Sequence, residues 1–314
     1  MVNVAIAGGT GAVGRTLIEV MAAQTKHKAF VLTRKAPNPK EETLAPIYQV
    51  DYSDIEALKS FLEEHDIHTV ISAFGITATS LATSQLNLIR AADQSSATKR
   101  FIPSSFAMRY PEDGVKILPP LEHYFTSLTL LSQTTLEYAT VLNGTFLDYF
   151  APPTLKSHHP HSVIVLDMAH AAAAIPGSGD VALTLTYTFD VARFVLAALD
   201  LPRWPDDHEL RVVGDEVTFH ELVALAEDAR GEKFDVVYDT VEDLREGRIT
   251  ELEGHKESYD KFPKKRLQAF LAIFELWMAT GLGRVERRGS LNEMFPEIRP
   301  LTAGEMMERY WKRG

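Results

Sequence analysis

The feature that most constrains the fold is the cluster of glycines at residues 8–14. An apolar stretch, Val2-Asn3-Val4-Ala5-Ile6-Ala7, leads into Gly8-Gly9-Thr10-Gly11-Ala12-Val13-Gly14. Arg15-Thr16-Leu17-Ile18-Glu19-Val20-Met21 then follows and reads as a helix. Strand, glycine turn and helix in immediate succession form the dinucleotide-binding arrangement. In this reading Gly9 allows the tight turn, Gly11 leaves room for a pyrophosphate beside backbone amides, and Gly14 lets the helix close on the sheet. The first helical turn carries N–H groups without intrahelical partners, and these attract phosphate. Gly8, Thr10, Gly11, Ala12, Val13 and Gly14 are therefore the first candidate cofactor-binding residues.

Composition narrows the alternatives. A chain of 314 residues that is 45% hydrophobic can bury a large core in one large or two coupled domains. Its net charge of -11 argues against wrapping nucleic acid or coating an anionic membrane. With no cysteine, disulfides, thiolate catalysis and cysteine metal sites are excluded, and a cytoplasmic location fits. The N-terminus reads as a core strand rather than a secretion leader, and the apolar stretches are too short to span a membrane. His158, His159, His161 and His170 lack helical metal-ligand spacing and Pro160 interrupts them, so no metal is expected.

Strands recur near residues 2, 29, 48, 68 and 99 with helices between them, which predicts a doubly wound parallel sheet. The second strand, Ala29-Phe30-Val31-Leu32-Thr33, ends in Arg34-Lys35, with a loop at Ala36-Pro37-Asn38-Pro39. An NAD-preferring site puts an acidic residue there. Two cations instead suit the extra 2′-phosphate of NADP, the alternative being a solvated surface pair. Tyr48-Gln49-Val50-Asp51 is the third strand, with Asp51 close to an adenine or serving as a turn residue. Asp54 caps the helix through Ile55, Leu58, Phe61 and Leu62. His68-Thr69-Val70-Ile71-Ser72 exits through Ala73-Phe74-Gly75, whose small residues could pass beneath the cofactor. A helix with Leu81, Gln85, Leu88, Ile89 and Ala92 on one side follows. Lys99-Arg100-Phe101-Ile102-Pro103 ends at Ser104-Ser105-Phe106. Ligands bind outside the carboxyl ends of such strands, so Gly8–Gly14, Arg34, Phe74 and Ser104 converge on one rim.

Beyond this series a helix is expected over residues 121–136, placed by Pro119-Pro120, with Tyr124, Leu128 and Leu131 on one face. Further strands are expected at 139–142, 162–166, 183–188, 208–213 and 234–238, and helices at 189–199, 241–246 and 266–278. Ala169 to Ala174 favours helix by its alanines. Asp190 reads as a helix cap, and Thr218 with Glu221 and Thr302 with Glu305 read as capping boxes. The expected organisation is a dinucleotide-binding domain over residues 1–155. A smaller α/β substrate domain covers residues 156–314, with some segments returning to the first sheet. Phe262, Phe270, Phe274 and Trp277 are candidates for an apolar pocket there or for plain core.

At this level the chain resembles the NmrA-like and isoflavone-reductase-like atypical short-chain dehydrogenase/reductases, especially fungal members. The resemblance rests on residues 8–14, Thr33-Arg34-Lys35, Val50-Asp51-Tyr52, Arg100-Phe101-Ile102-Pro103-Ser104-Ser105-Phe106 and Leu136-Glu137-Tyr138. It extends through residues 142–150, Phe189-Asp190-Val191-Ala192-Arg193 and Leu291-Asn292-Glu293-Met294-Phe295-Pro296. It implies a Rossmann-like fold, bound NADP(H) and, in fungi, a place in secondary metabolism. It also implies cofactor contacts from Gly8, Thr10, Gly11, Ala12, Val13, Gly14, Arg34, Lys35, Asp51, Ala73, Phe74, Gly75, Ser104 and Phe106.

The departures bear on mechanism. Reductases of this family carry a catalytic lysine in the helix after a Pro-Ser-Glu-Phe-Gly-like loop. Counting back from Leu136-Glu137-Tyr138 puts that position near Tyr124, and residues 118–140 contain no lysine. Ser105 stands for the loop glutamate and Ala107 for the glycine. Candidate catalytic groups are Tyr124, as a phenol of ordinary pKa about 10, Ser104, as a hydrogen-bonding hydroxyl, and His123. The expected function is NADPH-dependent reduction of a small aromatic or conjugated metabolite by hydride transfer from nicotinamide C4. A non-catalytic NADP(H)-binding regulator and a non-redox isomerase or cyclase stay open, as do a homodimer and a regulatory protein partner.

Overall fold

The computed structural model describes residues 1–24, 26–36, 43–75 and 80–312. The loop expected at Pro37-Asn38-Pro39 lies outside them. The chain divides into two compact units. Unit 1 comprises Met1–Phe106, Tyr110–Leu142 and Ala192–Leu210, and unit 2 comprises Ala107–Arg109, Asn143–Val191 and Arg211–Gly314.

Unit 1 is built around one six-stranded sheet: β1 (Asn3–Ala7), β2 (Lys28–Thr33), β3 (Ile47–Gln49), β4 (Ile67–Ser72), β5 (Arg100–Ile102) and β6 (Glu137–Tyr138). They lie in the order β3-β2-β1-β4-β5-β6, and every pairing is parallel. This is the Rossmann-like doubly wound α/β sheet that the sequence predicts. Val4, Ala5, Ile6 and Ala7 of β1 have no exposed surface. A central strand covered on both faces is apolar at every position rather than alternating. The strand order reverses between β1 and β4, so a crevice opens at their carboxyl ends.

The helices follow local rules. Helix α1 (Ala12–Gln24) buries Leu17, Ile18, Val20 and Met21. Asp54 caps α2 (Ile55–Glu64), accepting the Ala57 amide at 2.9 Å. A π-helical turn at Ser80–Gln85 precedes α3 (Leu86–Gln94). Helix α4 (Leu121–Leu131) stops five residues short of the expected end. Ser132 and Thr134 turn their hydroxyls onto the carbonyls of Thr129 and Leu131, which competes with further helix. Arg100 of β5 is buried. It donates to Glu137 of β6 at 2.5 Å and to the carbonyls of Leu199 and Leu201, and it sits 5.0 Å over the Trp204 ring.

Unit 2 carries two three-stranded sheets. One contains Leu166–Asp167, Ala172–Pro176 and Asp235–Asp239. The other contains Thr145–Phe146, Leu183–Thr186 and Asp215–Val217. The alanine run corrects a helical expectation. Ala172–Pro176 is a strand, parallel to Asp235–Asp239 and antiparallel to Leu166–Asp167, and it is buried from Ala173 to Pro176. The helix Lys264–Ala279 packs on this strand. Alanine side chains are small enough for that approach, and tertiary contact outweighs their helix propensity. Of the strand expected at 162–166, only Leu166 pairs in a ladder.

The strand at 183–188 ends at Thr186, and a helix begins at Thr188. Asp190 therefore lies inside that helix, where its carboxylate accepts the Leu301 amide at 2.6 Å. Buried Asp148 serves the helix start instead, accepting both the amide and the hydroxyl of Thr188 at 2.8 Å. Both expected capping boxes form. Phe262, Phe270, Phe274 and Trp277 follow one another at ring separations of 6.0, 4.8 and 5.3 Å, and Trp277 is core. Glu275 on the same helix is 1% exposed, and its Oε2 has no hydrogen-bond partner among the described residues.

Candidate functional site

The carboxyl end of β1 is shaped by close backbone approaches. Gly8 takes a φ of +80°, and a Cβ there would lie 2.5 Å from the Ala73 carbonyl oxygen. Gly8, rather than the expected Gly9, therefore makes the tight turn. Gly9 instead lets the sheet and α1 close together, since a Cβ on it would lie 2.5 Å from Val31 of β2 and 3.0 Å from Ile18 of α1. Gly14 is pressed onto the turn itself, its missing Cβ falling 2.5 Å from the Gly8 oxygen and 2.6 Å from the Gly9 Cα. The Gly11 amide is used within the turn, donating to Gly8 at 3.0 Å, and the Gly11 carbonyl accepts Arg15 at 2.9 Å. Thr10 and Gly11 are exposed. The amides of Ala12, Val13 and Gly14 lie in the first turn of α1, beyond the reach of intrahelical bonds, and form a ready site for an anion.

At the ends of β2 and β3 a cleft of about 650 Å³ is lined by Arg34, Gln49, Asp51, Tyr52, Thr83 and Ser84, among others. Arg34 and Lys35 are exposed, and neither has an acidic partner among the described residues. The Arg34 carbonyl accepts the Gln49 side chain at 3.2 Å, and Thr33 Oγ1 accepts the Lys35 amide at 3.2 Å, which fixes the backbone under both cations. Asp51 lines the cleft and also forms its turn. One carboxylate oxygen accepts the Ser53 amide at 2.8 Å and the Ser53 hydroxyl at 2.6 Å, and these bonds hold its pKa below the ordinary value. Tyr52 is buried, donates to the Leu32 carbonyl at 3.2 Å and meets the Phe74 ring edge-on at 5.2 Å. Burial pushes its phenol well above the ordinary tyrosine pKa.

The exits of β4 and β5 are tied together. The Ala73 amide donates to the Ala7 carbonyl at 2.8 Å, which carries the Ala73-Phe74-Gly75 segment across the glycine turn. Buried Ser104 donates its hydroxyl proton to the Phe74 carbonyl at 2.6 Å. Its amide donates to Gln85 Oε1 at 2.9 Å, and Gln85 Nε2 donates to Ser127 Oγ at 3.0 Å. Ser127 Oγ in turn donates to the His123 carbonyl at 2.8 Å, one turn back along α4. Tyr124 on the same helix is buried, with its ring edge-on to Tyr110 and to Phe125, each at 5.2 Å. His123 and Phe106 are half-buried. Ser105 keeps a buried hydroxyl without a hydrogen-bond partner among the described residues.

Among the sequence candidates, Gly8 meets Ala73 directly, and Phe74, Ser104 and the His123 backbone share one bonded chain. Arg34 and Asp51 share the cleft. Gln85 and Ser127, which complete that chain, are absent from the candidates read from sequence. A glutamine among apolar residues on one side of a predicted helix was the available signal.

Comparison with known proteins adds the following. A family model described as the NmrA-like family matches residues 2–293. The chain is 36% identical over 304 residues to "Oxidoreductase BOA1" of Botryotinia fuckeliana, covering 96% of each protein. It is 29% identical over 341 residues to "Oxidoreductase swnN" of Metarhizium robertsii, covering 99% of this chain and 98% of that protein. Among solved structures, the leucoanthocyanidin reductase–NADPH complex of Vitis vinifera superimposes with a TM-score of 0.74 at 18% identity, over 99% of this chain and 100% of that one.

Proposed function

The chain belongs to the NmrA-like family, and on that premise we propose that it is an NADPH-dependent reductase of a small aromatic or conjugated molecule. The observation that carries this is the acid-free end of β2. Arg34 and Lys35 stand where an NAD site would place a carboxylate, and Arg34 opens on the cleft lined by Asp51, Tyr52 and Ser84. The relatives named as oxidoreductases and the NADPH complex of a protein with the same fold support the reading.

The residues of unit 1 fit such a cofactor. Close backbone packing at Gly8 and Gly14 leaves no room for side chains there and presents the α1 amides to a pyrophosphate. Arg34 and Lys35 would take the 2′-phosphate through charge-assisted hydrogen bonds, while Tyr52 and Asp51 wall the adenosine end. When bound, NADPH supplies a hydride from nicotinamide C4. Ser104, Phe74 and Ala73 would lie under the nicotinamide half at the carboxyl ends of β4 and β5. The acid is assigned to the Tyr124 phenol. No lysine stands near it in residues 118–140, so substrates that need little protonation are favoured, such as iminium ions and conjugated enones. Unit 2 takes the substrate-binding role in this reading.

The test is oxidation of NADPH and of NADH, followed by nicotinamide absorbance, against a panel of conjugated enones, cyclic iminium salts and aromatic ethers. Turnover that requires a substrate, prefers NADPH and vanishes in Gly14→Val is the expected result. The absent lysine also favours a second reading, a regulator that binds the dinucleotide without turnover. Tight NADP+ binding with no turnover across the panel would replace the reductase by that regulator. Substrate conversion without any absorbance change would point to an isomerase or cyclase.

A further inference from the structure

Gln85 has no exposed surface, and its side-chain amide is hydrogen-bonded at both its oxygen and its nitrogen. Four consecutive hydrogen bonds run from the Phe74 carbonyl through Ser104, Gln85 and Ser127 to the His123 carbonyl, at 2.6, 2.9, 3.0 and 2.8 Å. The chain fixes the amide's orientation. Ser104 offers an N–H, so an oxygen must face it. Ser127 has already given its proton to His123, so a donor must face Ser127. A flipped amide would set a donor against the Ser104 N–H. Gln85 also closes the π-helical turn at Ser80–Gln85, a local geometry that costs regular helix hydrogen bonding.

We propose that Gln85 is a positioning residue for the nicotinamide half of the site, an inference that rests on the dinucleotide reading of unit 1. Its amide acts from behind the rim. Through Ser104 it sets the Phe74 carbonyl, and with it the segment whose Ala73 oxygen closes on Gly8. Through Ser127 it sets the backbone of α4 at His123, next to Tyr124. One buried side chain thus holds the floor under the nicotinamide in register with the helix that carries the proposed acid. An apolar side chain of the same length would fill the space, but the Ser104 N–H would be left buried and unpaired, and the floor would lose its fixed height.

The experiment compares two ligands by calorimetry in the full-length protein: NADP+, which has a nicotinamide, and adenosine 2′,5′-bisphosphate, which has only the Arg34 end. In Gln85→Met the NADP+ affinity is expected to fall about tenfold while that for adenosine 2′,5′-bisphosphate stays within about twofold. Gln85→Glu supplies a second signature. Protonated, it offers one oxygen to Ser104 and an O–H to Ser127, so its NADP+ affinity approaches wild type at about pH 6 and falls away at about pH 8. Ser127→Ala, which leaves Gln85 in place, should show the same selective loss in smaller measure. Equal weakening of both ligands in Gln85→Met and Ser127→Ala, or no change in either, overturns the proposal. Wild-type protein that binds neither ligand overturns the dinucleotide reading itself, and the positioning role with it.

Discussion

Replacing Glu275 by glutamine should remove a pH dependence from the stability of this protein. The carboxyl is 1% exposed and one of its oxygens has no hydrogen-bond partner among the described residues. Burial, reinforced by the nearby Asp239 charge, raises its pKa well above 4.5. The folded chain therefore keeps a proton on Glu275 after the unfolded chain has released its own. A group whose folded pKa is raised gives its full contribution to stability below the unfolded pKa and loses it as pH climbs towards the folded pKa. One extra bound proton corresponds to about 1.4 kcal/mol for each pH unit, so from about pH 5 upward the wild type should lose stability with a slope approaching that figure, and Glu275→Gln should not. The variant buries an unpaired N–H where the wild type buries an unpaired O–H. The slope, rather than the absolute difference, is therefore the quantity to read. Guanidinium unfolding followed by circular dichroism across this range measures it. Parallel stability profiles for wild type and variant would refute the reasoning and mean that the carboxylate is solvated or paired.

Three further outcomes follow from the site and the sheet. Arg34→Ser should reduce the preference for NADP+ over NAD+ by about tenfold or more, read as the ratio of the two dissociation constants, because the proposed charge-assisted bond to the 2′-phosphate would be lost. Gly14→Ala places a Cβ 2.5 Å from the Gly8 oxygen. It should abolish dinucleotide binding and lower the melting temperature, and unchanged affinity would mean that the turn relaxes freely. Arg100→Met strips Glu137 of its buried partner and frees the Leu199 and Leu201 carbonyls, at a cost of about 3 kcal/mol measurable by denaturant titration.

Much of the fold was legible because its signals are local. Val4 to Ala7 announce a fully buried strand by being apolar at every position. Asp54, Thr218 and Thr302 announce helix starts through side chains that reach only three residues ahead. The boundaries of α4 and of the strand ending at Thr186 were less legible, since they depend on which hydroxyl takes which carbonyl. The fold family was written in dispersed short motifs, whereas Gln85, a polar residue on an apolar helical face, gives no sign of its partners 19 and 42 positions away.

The sequence alone determined the glycine turn, the parallel βα series, the cationic end of β2 and the lack of a lysine in residues 118–140. Each of these depends on residue type and near-neighbour spacing. Tertiary structure decided the rest. It gave the turn to Gly8 by setting Ala73 against it, made a strand of Ala172–Pro176 by laying a helix on it, and gave a helix start to Asp148 from 40 residues away. It also joined Phe74, Ser104, Gln85 and Ser127 into one bonded chain. Such assignments are settled by which distant groups leave water together, because a buried donor or acceptor must find its partner wherever the fold brings one.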